Sequence, residues 1–119
     1  MAAPRRADRV AREVQKELSD LLRREVKDPR VRDATVSRVD MSDDLRQATV
    51  YVAALGKVGD QERSEELLAG LRAASGFLQG KLGRNLRLRS TPRLTFAYDA
   101  GLENLIHVAE LLSGIEDET

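Results

Sequence analysis

The chain has 119 residues, 41% of them hydrophobic, and a formal net charge of zero, which fits a single domain with one core. It has no cysteine, and this excludes disulfides, thiolate metal ligands and cysteine nucleophiles. No apolar run approaches the roughly 20 residues of a membrane-spanning helix, and the charged start lacks the apolar core of a signal peptide. We therefore predict a soluble, cytoplasmic protein without a membrane partner.

The first predicted element is an amphipathic helix from about Ala7 to Lys27. Apolar residues recur in it at spacings of three and four, so they share one face. These residues are Val10, Val14, Leu18, Leu21, Leu22 and Val26. Asp28-Pro29 ends the helix, because proline disfavours helical geometry in the residue before it.

Two strands follow, from 34 to 41 and from 47 to 54, joined by a short turn at Ser42-Asp43-Asp44. The first is rich in Val and Thr, and the second alternates small or apolar residues with polar ones, as a half-buried strand does. We predict an antiparallel hairpin, followed by a loop over 56 to 60.

A second helix begins near Glu62, whose carboxylate suits the positive end of the helix dipole. One stripe of this helix carries Leu67, Leu71, Ala74, Leu78 and Leu82. The small residues Ala74-Ser75-Gly76 lie midway. Because a glycine inside a helix costs about 1 kcal/mol relative to alanine, we predict a kink or break there and a new helix from Phe77.

After Pro92 the alternation of Leu94, Phe96 and Tyr98 predicts a third strand, and Asp99 is placed to cap a last, short helix. The predicted order is α-β-β-α-kink-α-β plus that helix, an α+β fold with a three-stranded sheet packed against helices. We expect one domain over residues 1–113 and a short, acidic, disordered tail over 114–119.

Charge is unevenly distributed along this neutral chain. Residues 1–27 hold eight bases and five acids, 28–66 hold six and nine, 67–98 hold six and none, and 99–119 hold none and six. A basic tract of this kind is the electrostatic footprint of a polyanion partner, although a solvated helix face would look the same.

Catalysis has little support in the sequence. His107 is the only histidine, and neither a phosphate-binding loop nor a zinc-protease helix motif is present. Asp43-Asp44 has the composition of a divalent-ion site, but turn formation explains it more simply. We predict a non-enzymatic protein that has no cofactor, no metal and no small-molecule substrate.

A surface that reads the nucleic-acid backbone fits better than one that stacks bases, because the chain has few aromatic residues and most occupy core positions. KH domains clamp the sugar-phosphate chain with a Gly-x-x-Gly loop between two helices. Gly56-Lys57-Val58-Gly59 lies between a strand and a helix, and Gly80-Lys81-Leu82-Gly83 leaves little room for a following helix. The break at Ala74-Ser75-Gly76 is the better counterpart, unless these small residues serve only tight helix packing.

The chain resembles the bacterial ribosome-binding factor A family in a series of short motifs that together span most of its length. The motifs are Arg9-Val10, Val26-Lys27-Asp28-Pro29-Arg30, Val39-Asp40-Met41-Ser42, Asp44 to Val52, Ala74-Ser75-Gly76-Phe77-Leu78, Leu86-Arg87-Leu88-Arg89, Pro92 to Phe96, and Tyr98-Asp99. Each is weak alone, whereas their order and spacing are specific.

This resemblance implies a type II KH fold in which Ala74-Ser75-Gly76 replaces the Gly-x-x-Gly loop. It also implies binding to the free 30S subunit and its 16S rRNA, help with late maturation that includes processing of the 16S rRNA 5′ end, and a role in growth in the cold. The short acidic tail lacks the long extension of some members.

We expect a monomer that binds RNA through the small residues Ala74, Ser75 and Gly76 and through nearby bases. The bases are Arg72, Lys81, Arg84, Arg87, Arg89, Arg5, Arg6 and Arg9. Two alternatives stay open: a protein interaction module that uses its hairpin edge or acidic C-terminal helix, with incidental RNA contact, and an RNA hydrolase that depends on Asp43 or His107.

Overall fold

A computed structural model describes residues 5–54 and 61–117, without the side chains of 103, 106, 107 and 114–117. The helices are α1 (Arg6–Arg24), α2 (Gln61–Asn85) and α3 (Ala100–Asp117), and the strands are β1 (Ala34–Met41), β2 (Gln47–Ala54) and β3 (Arg93–Tyr98). A single 3₁₀ turn, Pro29–Val31, follows α1 in this described part. The predicted loop at 56–60 and the string Gly56–Gly59 lie outside the described residues.

Helix α1 ends three residues before the predicted boundary at Lys27. The amide of Val26 bonds back to the carbonyl of Leu21 at 3.2 Å, which closes the last turn. Asp28 then caps the 3₁₀ turn, since its side chain accepts the amide of Arg30 at 2.9 Å. The helix therefore stops before Asp28-Pro29, as predicted, but its last residue is Arg24 instead of Lys27.

The three strands form one sheet in the order β1-β2-β3. β1 and β2 pair antiparallel, with Ala34 opposite Ala54 and a bulge between Val36 and Arg38, and this confirms the predicted hairpin. β2 and β3 pair in parallel, which requires the long crossover that α2 provides. The crossover places α2 on the same face of the sheet as α1, where both helices cover the core.

The core lies between that face and the apolar stripes of α1 and α2. Leu18 on α1, Leu71 and Leu78 on α2, and Val50 and Val52 on β2 are completely buried. Phe96 on β3 is 5% exposed and closes one side of the cluster. The periodicities of α1, α2, β2 and β3 read from the sequence therefore identified most of the core-facing residues, with Val26, Ala74 and Tyr98 only partly buried.

Helix α2 is one continuous helix of 25 residues, so a break with a new helix from Phe77 is wrong, while a kink at Gly76 stays a prediction. The buried side chains Leu71, Leu78 and Leu82 lie on both sides of Gly76 and share one stripe. Full burial of a leucine contributes about 1.5–3 kcal/mol, which exceeds the cost of roughly 1 kcal/mol for one helical glycine. Packing therefore keeps the helix in register through the small residues. The α+β class and the three-stranded sheet are as predicted.

Helix α3 begins at the predicted cap, where Oδ1 of Asp99 accepts the amide of Leu102 at 3.1 Å. Its large apolar residues are mostly open, with Leu105 69% and Leu112 57% exposed. The helix reaches Asp117, within the segment expected to form a tail; disorder of that tail stays a prediction. None of the described helices is long and apolar enough to cross a membrane.

Candidate nucleic-acid interface

Four residues spaced by four form one row along α2: Arg72, Gly76, Gly80 and Arg84. Residues at this spacing lie one above the other on a helix surface. Arg72, Gly76 and Arg84 are exposed, and Gly80 is half-buried. The row therefore presents two glycines between two guanidinium groups.

The packing explanation for Gly76 does not hold in the described part of the chain. A Cβ built at Gly76 has no heavy atom within 4 Å beyond its own turn of helix and its chain neighbours. Other glycines of α2 differ, since a Cβ at Gly70 would lie 2.9 Å from Cγ1 of Val31 and one at Gly83 would lie 2.5 Å from Oγ1 of Thr91. Gly76 thus leaves open space at the surface, where a partner's backbone can come close.

The three small residues do not act alike. Ala74 is half-buried and packs against the core, and the hydroxyl of Ser75 donates to the carbonyl of Arg72 at 2.8 Å. Because the helix is continuous, Gly76 is not followed by a helix N-terminus, and the amides there are part of the helical hydrogen-bond ladder. This position therefore offers no free N–H groups to a partner; close approach and flanking charge are what this surface provides.

Phe77 and Lys81 lie beside the row on α2, each one position after one of its glycines. The ring of Phe77 is 45% exposed, which makes it an open aromatic surface instead of a core residue. Nζ of Lys81 lies 5.8 Å from the centroid of that ring and 3.6 Å from Oε2 of Glu25. Glu25 follows the last residue of α1, so the charge of Lys81 is partly compensated by an ion pair within the chain.

The chain leaves α2 through a tight turn that exposes two predicted RNA contacts. Arg87 has φ 52°, and its amide bonds to the carbonyl of Arg84 at 3.3 Å while the amide of Leu88 bonds to the carbonyl of Gly83 at 3.1 Å. This pair of bonds with a left-handed residue is a Schellman cap, in which glycine is the usual residue. The turn holds Arg87 and Arg89 in exposed positions.

Arg5, just before α1, contacts the end of the sheet at which β3 begins. Nη1 of Arg5 lies 3.2 Å from Oδ1 of Asp43 in the β1–β2 turn. The carbonyl of Arg46, in the same turn, accepts the amide of Arg93 at the start of β3 at 2.8 Å. The turn therefore connects the start of α1 with the segment that follows α2.

Arg6 and Arg9 are exposed on the first turns of α1, without an ion pair among the described residues. The structure places Arg72 and Arg84 on one row of α2, whereas Arg5 contacts the β1–β2 turn and Arg6 and Arg9 lie on α1 without a hydrogen bond or ion pair to that row in the described part of the chain. Gly80, Phe77, Arg46 and Arg93 also lie at this surface and were not among the predicted RNA contacts. The spacing of four residues from Gly76 would have identified Gly80 from the sequence. Arg46 could be identified only from the pairing of β2 with β3, which brings it to Arg93.

Asp43 and Asp44 both lie in the β1–β2 turn and both have partners within the chain. Asp44 Oδ1 accepts the hydroxyl of Ser42 at 2.7 Å and the amide of Arg46 at 3.0 Å. These bonds hold the pKa of Asp44 below its ordinary value, the Ser42 hydroxyl contributing most. Over the described residues, no three acidic or histidine side chains are grouped to hold a metal ion. The side chain of His107 lies outside the described residues.

These features define a KH-like domain: helices on one face of a three-stranded sheet that has one antiparallel and one parallel pairing, with a basic, glycine-bearing helix face beside it. The sequence model of the family Ribosome-binding factor A matches residues 6–112. The chain is 40% identical over 116 residues to ribosome-binding factor A of Desulfitobacterium hafniense, covering 98% of this chain and 90% of that one. The chain belongs to the ribosome-binding factor A family.

Solved structures agree with this assignment. The crystal structure of ribosome-binding factor A from Thermus thermophilus superposes with a TM-score of 0.67 at 28% identity, over 77% of this chain and 94% of that one. The solution structure of a Thermotoga maritima ribosome-binding factor A homologue gives 0.69 at 35% identity, over 82% and 90%. A homology model of the Thermus thermophilus factor, fitted into the cryo-EM map of a 30S complex, gives 0.62 at 28% identity, over 76% and 92%.

Proposed function

We propose that this protein is a non-enzymatic assembly factor that binds the free 30S subunit through its 16S rRNA and assists late maturation, including processing of the 16S rRNA 5′ end. The observation that carries the proposal is its family membership, together with its likeness to the Thermus factor that was fitted into a 30S complex. We further propose that it works as a cytoplasmic monomer and supports growth in the cold.

The α2 row supplies the contact in this proposal. Gly76 and Gly80 let the sugar-phosphate backbone approach the helix, while Arg72 and Arg84 neutralise phosphates at either end of the row. The two arginines are twelve positions apart along the helix, about 18 Å at the usual rise. The exposed ring of Phe77 offers a stacking surface beside the row for an unpaired base.

Arg87, Arg89 and Arg93 extend this positive surface beyond the end of α2, and Arg5, Arg6 and Arg9 extend it past the β1–β2 turn. No chemical step is needed. A factor that binds one conformation of immature rRNA more tightly than another raises the population of the first, and its release returns the subunit to the assembly pathway.

Cosedimentation of the purified protein with 30S subunits and with 70S ribosomes, over a salt series, tests the proposal. We expect stronger association with free 30S subunits and a steep loss of binding as salt rises, because phosphate contacts release counterions. The Arg84→Glu variant should bind several-fold more weakly. Arg32→Glu is the matched control, since Arg32 is an exposed arginine directly after the 3₁₀ turn and is not part of the row.

Equal affinity for 70S ribosomes, or binding that is insensitive to both salt and Arg84→Glu, contradicts the proposal. The maturation step is checked separately by mapping the 16S rRNA 5′ end in cells that lack the gene. Precursor ends should accumulate and should disappear on complementation with the wild-type chain but not with the Arg72→Glu, Arg84→Glu double variant.

A further inference from the structure

A groove of about 570 Å³ lies at the edge of the sheet opposite β3, away from the α2 row. The C-terminal part of α1, the 3₁₀ turn and the start of β1 form its walls. Leu22, Val26 and Val31 give it an apolar floor, and Ala34 to Val36 of β1 run along one side. An apolar floor beside a strand, with charged residues around it, suits the chemistry of one extended chain.

The strand at this groove is an edge strand, because β1 has a strand neighbour only on the β2 side in the described sheet. Nε2 of Gln15 covers part of the edge by donating to the carbonyls of Val36 at 3.4 Å and Ser37 at 3.1 Å. Backbone direction alternates along a strand, so the amide and carbonyl of Ala34 point to the same side as the carbonyl of Val36. Beyond the pairing with β2, no hydrogen bond within the described chain reaches the backbone of Ala34.

The charge around the groove that is not compensated by ion pairs is positive. Of the two lining carboxylates, Asp28 lies 2.6 Å from Nη2 of Arg30 and Asp33 lies 3.9 Å from Nη2 of Arg63, so both are compensated. Lys27 and Arg32 line the groove, are exposed and have no ion pair in the described residues. An occupant with negative side chains complements this rim.

We propose that the groove binds an extended, acidic segment of a partner protein, which adds a strand to the open edge of β1. In an added strand, alternate side chains point to opposite sides, so one set of apolar residues enters the floor of Leu22, Val26 and Val31. The other set carries the carboxylates that meet Lys27 and Arg32. The groove lies on the opposite sheet edge from β3, so peptide and rRNA would bind at the same time.

The observations favour a peptide over single-stranded RNA at this place. No aromatic side chain is among the lining residues, so unpaired bases have nothing to stack on. The outward amide and carbonyl of Ala34 offer one donor and one acceptor to a peptide backbone, which would extend the ladder of β1.

The test is a titration of the ¹⁵N-labelled full chain with the blocked hexapeptide acetyl-(Glu-Val)₃-amide, followed by amide chemical shifts. We expect saturable shifts confined to Lys27, Arg32, Ala34 and their neighbours. The same peptide with the amides of all six residues N-methylated keeps its charges and side chains but loses every ladder donor, so it should bind at least about tenfold more weakly. The Lys27→Glu, Arg32→Glu double variant should weaken binding of the acidic peptide by at least as much, whereas Arg24→Glu should not.

Absence of shifts at Ala34 at millimolar acidic peptide overturns the proposal, as does equal binding of the N-methylated peptide or of acetyl-(Lys-Val)₃-amide. A single-stranded RNA hexamer that shifts the same amides more strongly than the acidic peptide also overturns it. Thermal unfolding of each variant verifies that the charge changes leave the fold intact.

Discussion

The hydroxyl of Ser37 donates a 2.6 Å hydrogen bond to Oδ2 of Asp99, 62 positions later in the chain. Ser37 occupies the bulge of β1, and Asp99 follows β3 and caps α3. The amide of Asp99 also bonds to the carbonyl of Val52 at 2.7 Å. One residue thus joins the first strand, the central strand and the last helix.

Replacement of Ser37 by alanine should lower stability by about 1 kcal/mol, since the hydrogen bond to Asp99 is lost. The pKa of the Asp99 carboxyl lies below its ordinary value of 3.8, mainly because of the Ser37 hydroxyl, and should rise toward that value in the variant. A carboxyl whose pKa is lowered by folding stabilises the fold above about pH 3.8, and this contribution is lost as pH falls through the lower folded value.

The measurements are urea unfolding at neutral pH and NMR titration of the Asp99 carboxyl carbon. Ser90→Ala is the control, because Ser90 is exposed and has no hydrogen bond in the described structure. An unchanged Asp99 titration in Ser37→Ala would show that this bond is absent in solution.

Gly76→Ala should stabilise the protein by about 1 kcal/mol, because alanine is the better helix former and the added Cβ meets open space. Under the proposed function the same change weakens association with 30S subunits, since the methyl group holds the RNA backbone away. Urea unfolding and cosedimentation report the two effects separately.

Gly70→Ala is the matched contrast on the same helix. Its Cβ would lie 2.9 Å from Cγ1 of Val31, so we expect destabilisation from crowding against the 3₁₀ turn. A stabilised Gly76→Ala variant with wild-type 30S affinity would remove Gly76 from the proposed contact surface.

Arg87→Gly should raise stability by about 1 kcal/mol, because Arg87 holds a left-handed φ of 52° that costs a non-glycine residue about that much. If Arg87 contacts phosphate, the variant also binds 30S subunits more weakly and with a smaller salt slope. Arg87→Asn, which tolerates the same backbone but lacks the charge, distinguishes backbone strain from electrostatics.

Leu78→Ala should destabilise the protein by roughly 2–5 kcal/mol, because Leu78 is completely buried among the core residues on α2. Leu111→Ala on α3 is the control: its side chain is 54% exposed, so the free energy of unfolding should hardly change. A large effect of Leu111→Ala in urea unfolding would mean that α3 packs against something in solution.

Most of the fold was predictable because its helices and strands follow from local sequence patterns. The bounds of β1 and β2 match the prediction, since alternation and the polar turn at Ser42-Asp43-Asp44 define a hairpin from its own residues. The cap at Asp99 was predictable for the same reason, because it joins Asp99 to Leu102, only three residues later. The break at Gly76 was wrong, because the cost of one glycine was weighed without the burial of Leu71 and Leu78 on the same stripe.

The candidate site was predictable in composition but not in arrangement. The basic tract pointed to Arg72 and Arg84, and the structure places both on one exposed row with Gly76. The role of each small residue was not readable, because Ala74 packs on the core whereas Gly76 faces open space. Those surroundings come from elements far away in the chain.

By itself, the sequence determined the α+β class, the helix and strand faces that enter the core, and the separation of basic and acidic segments. These properties arise from spacing and composition, which act between near neighbours. Only the tertiary structure decided that α2 runs unbroken, that Phe77 is exposed and that the β1–β2 turn connects Arg5 with Arg93. Each of these depends on contacts between residues distant in sequence, whose burial outweighs the local preferences of the chain.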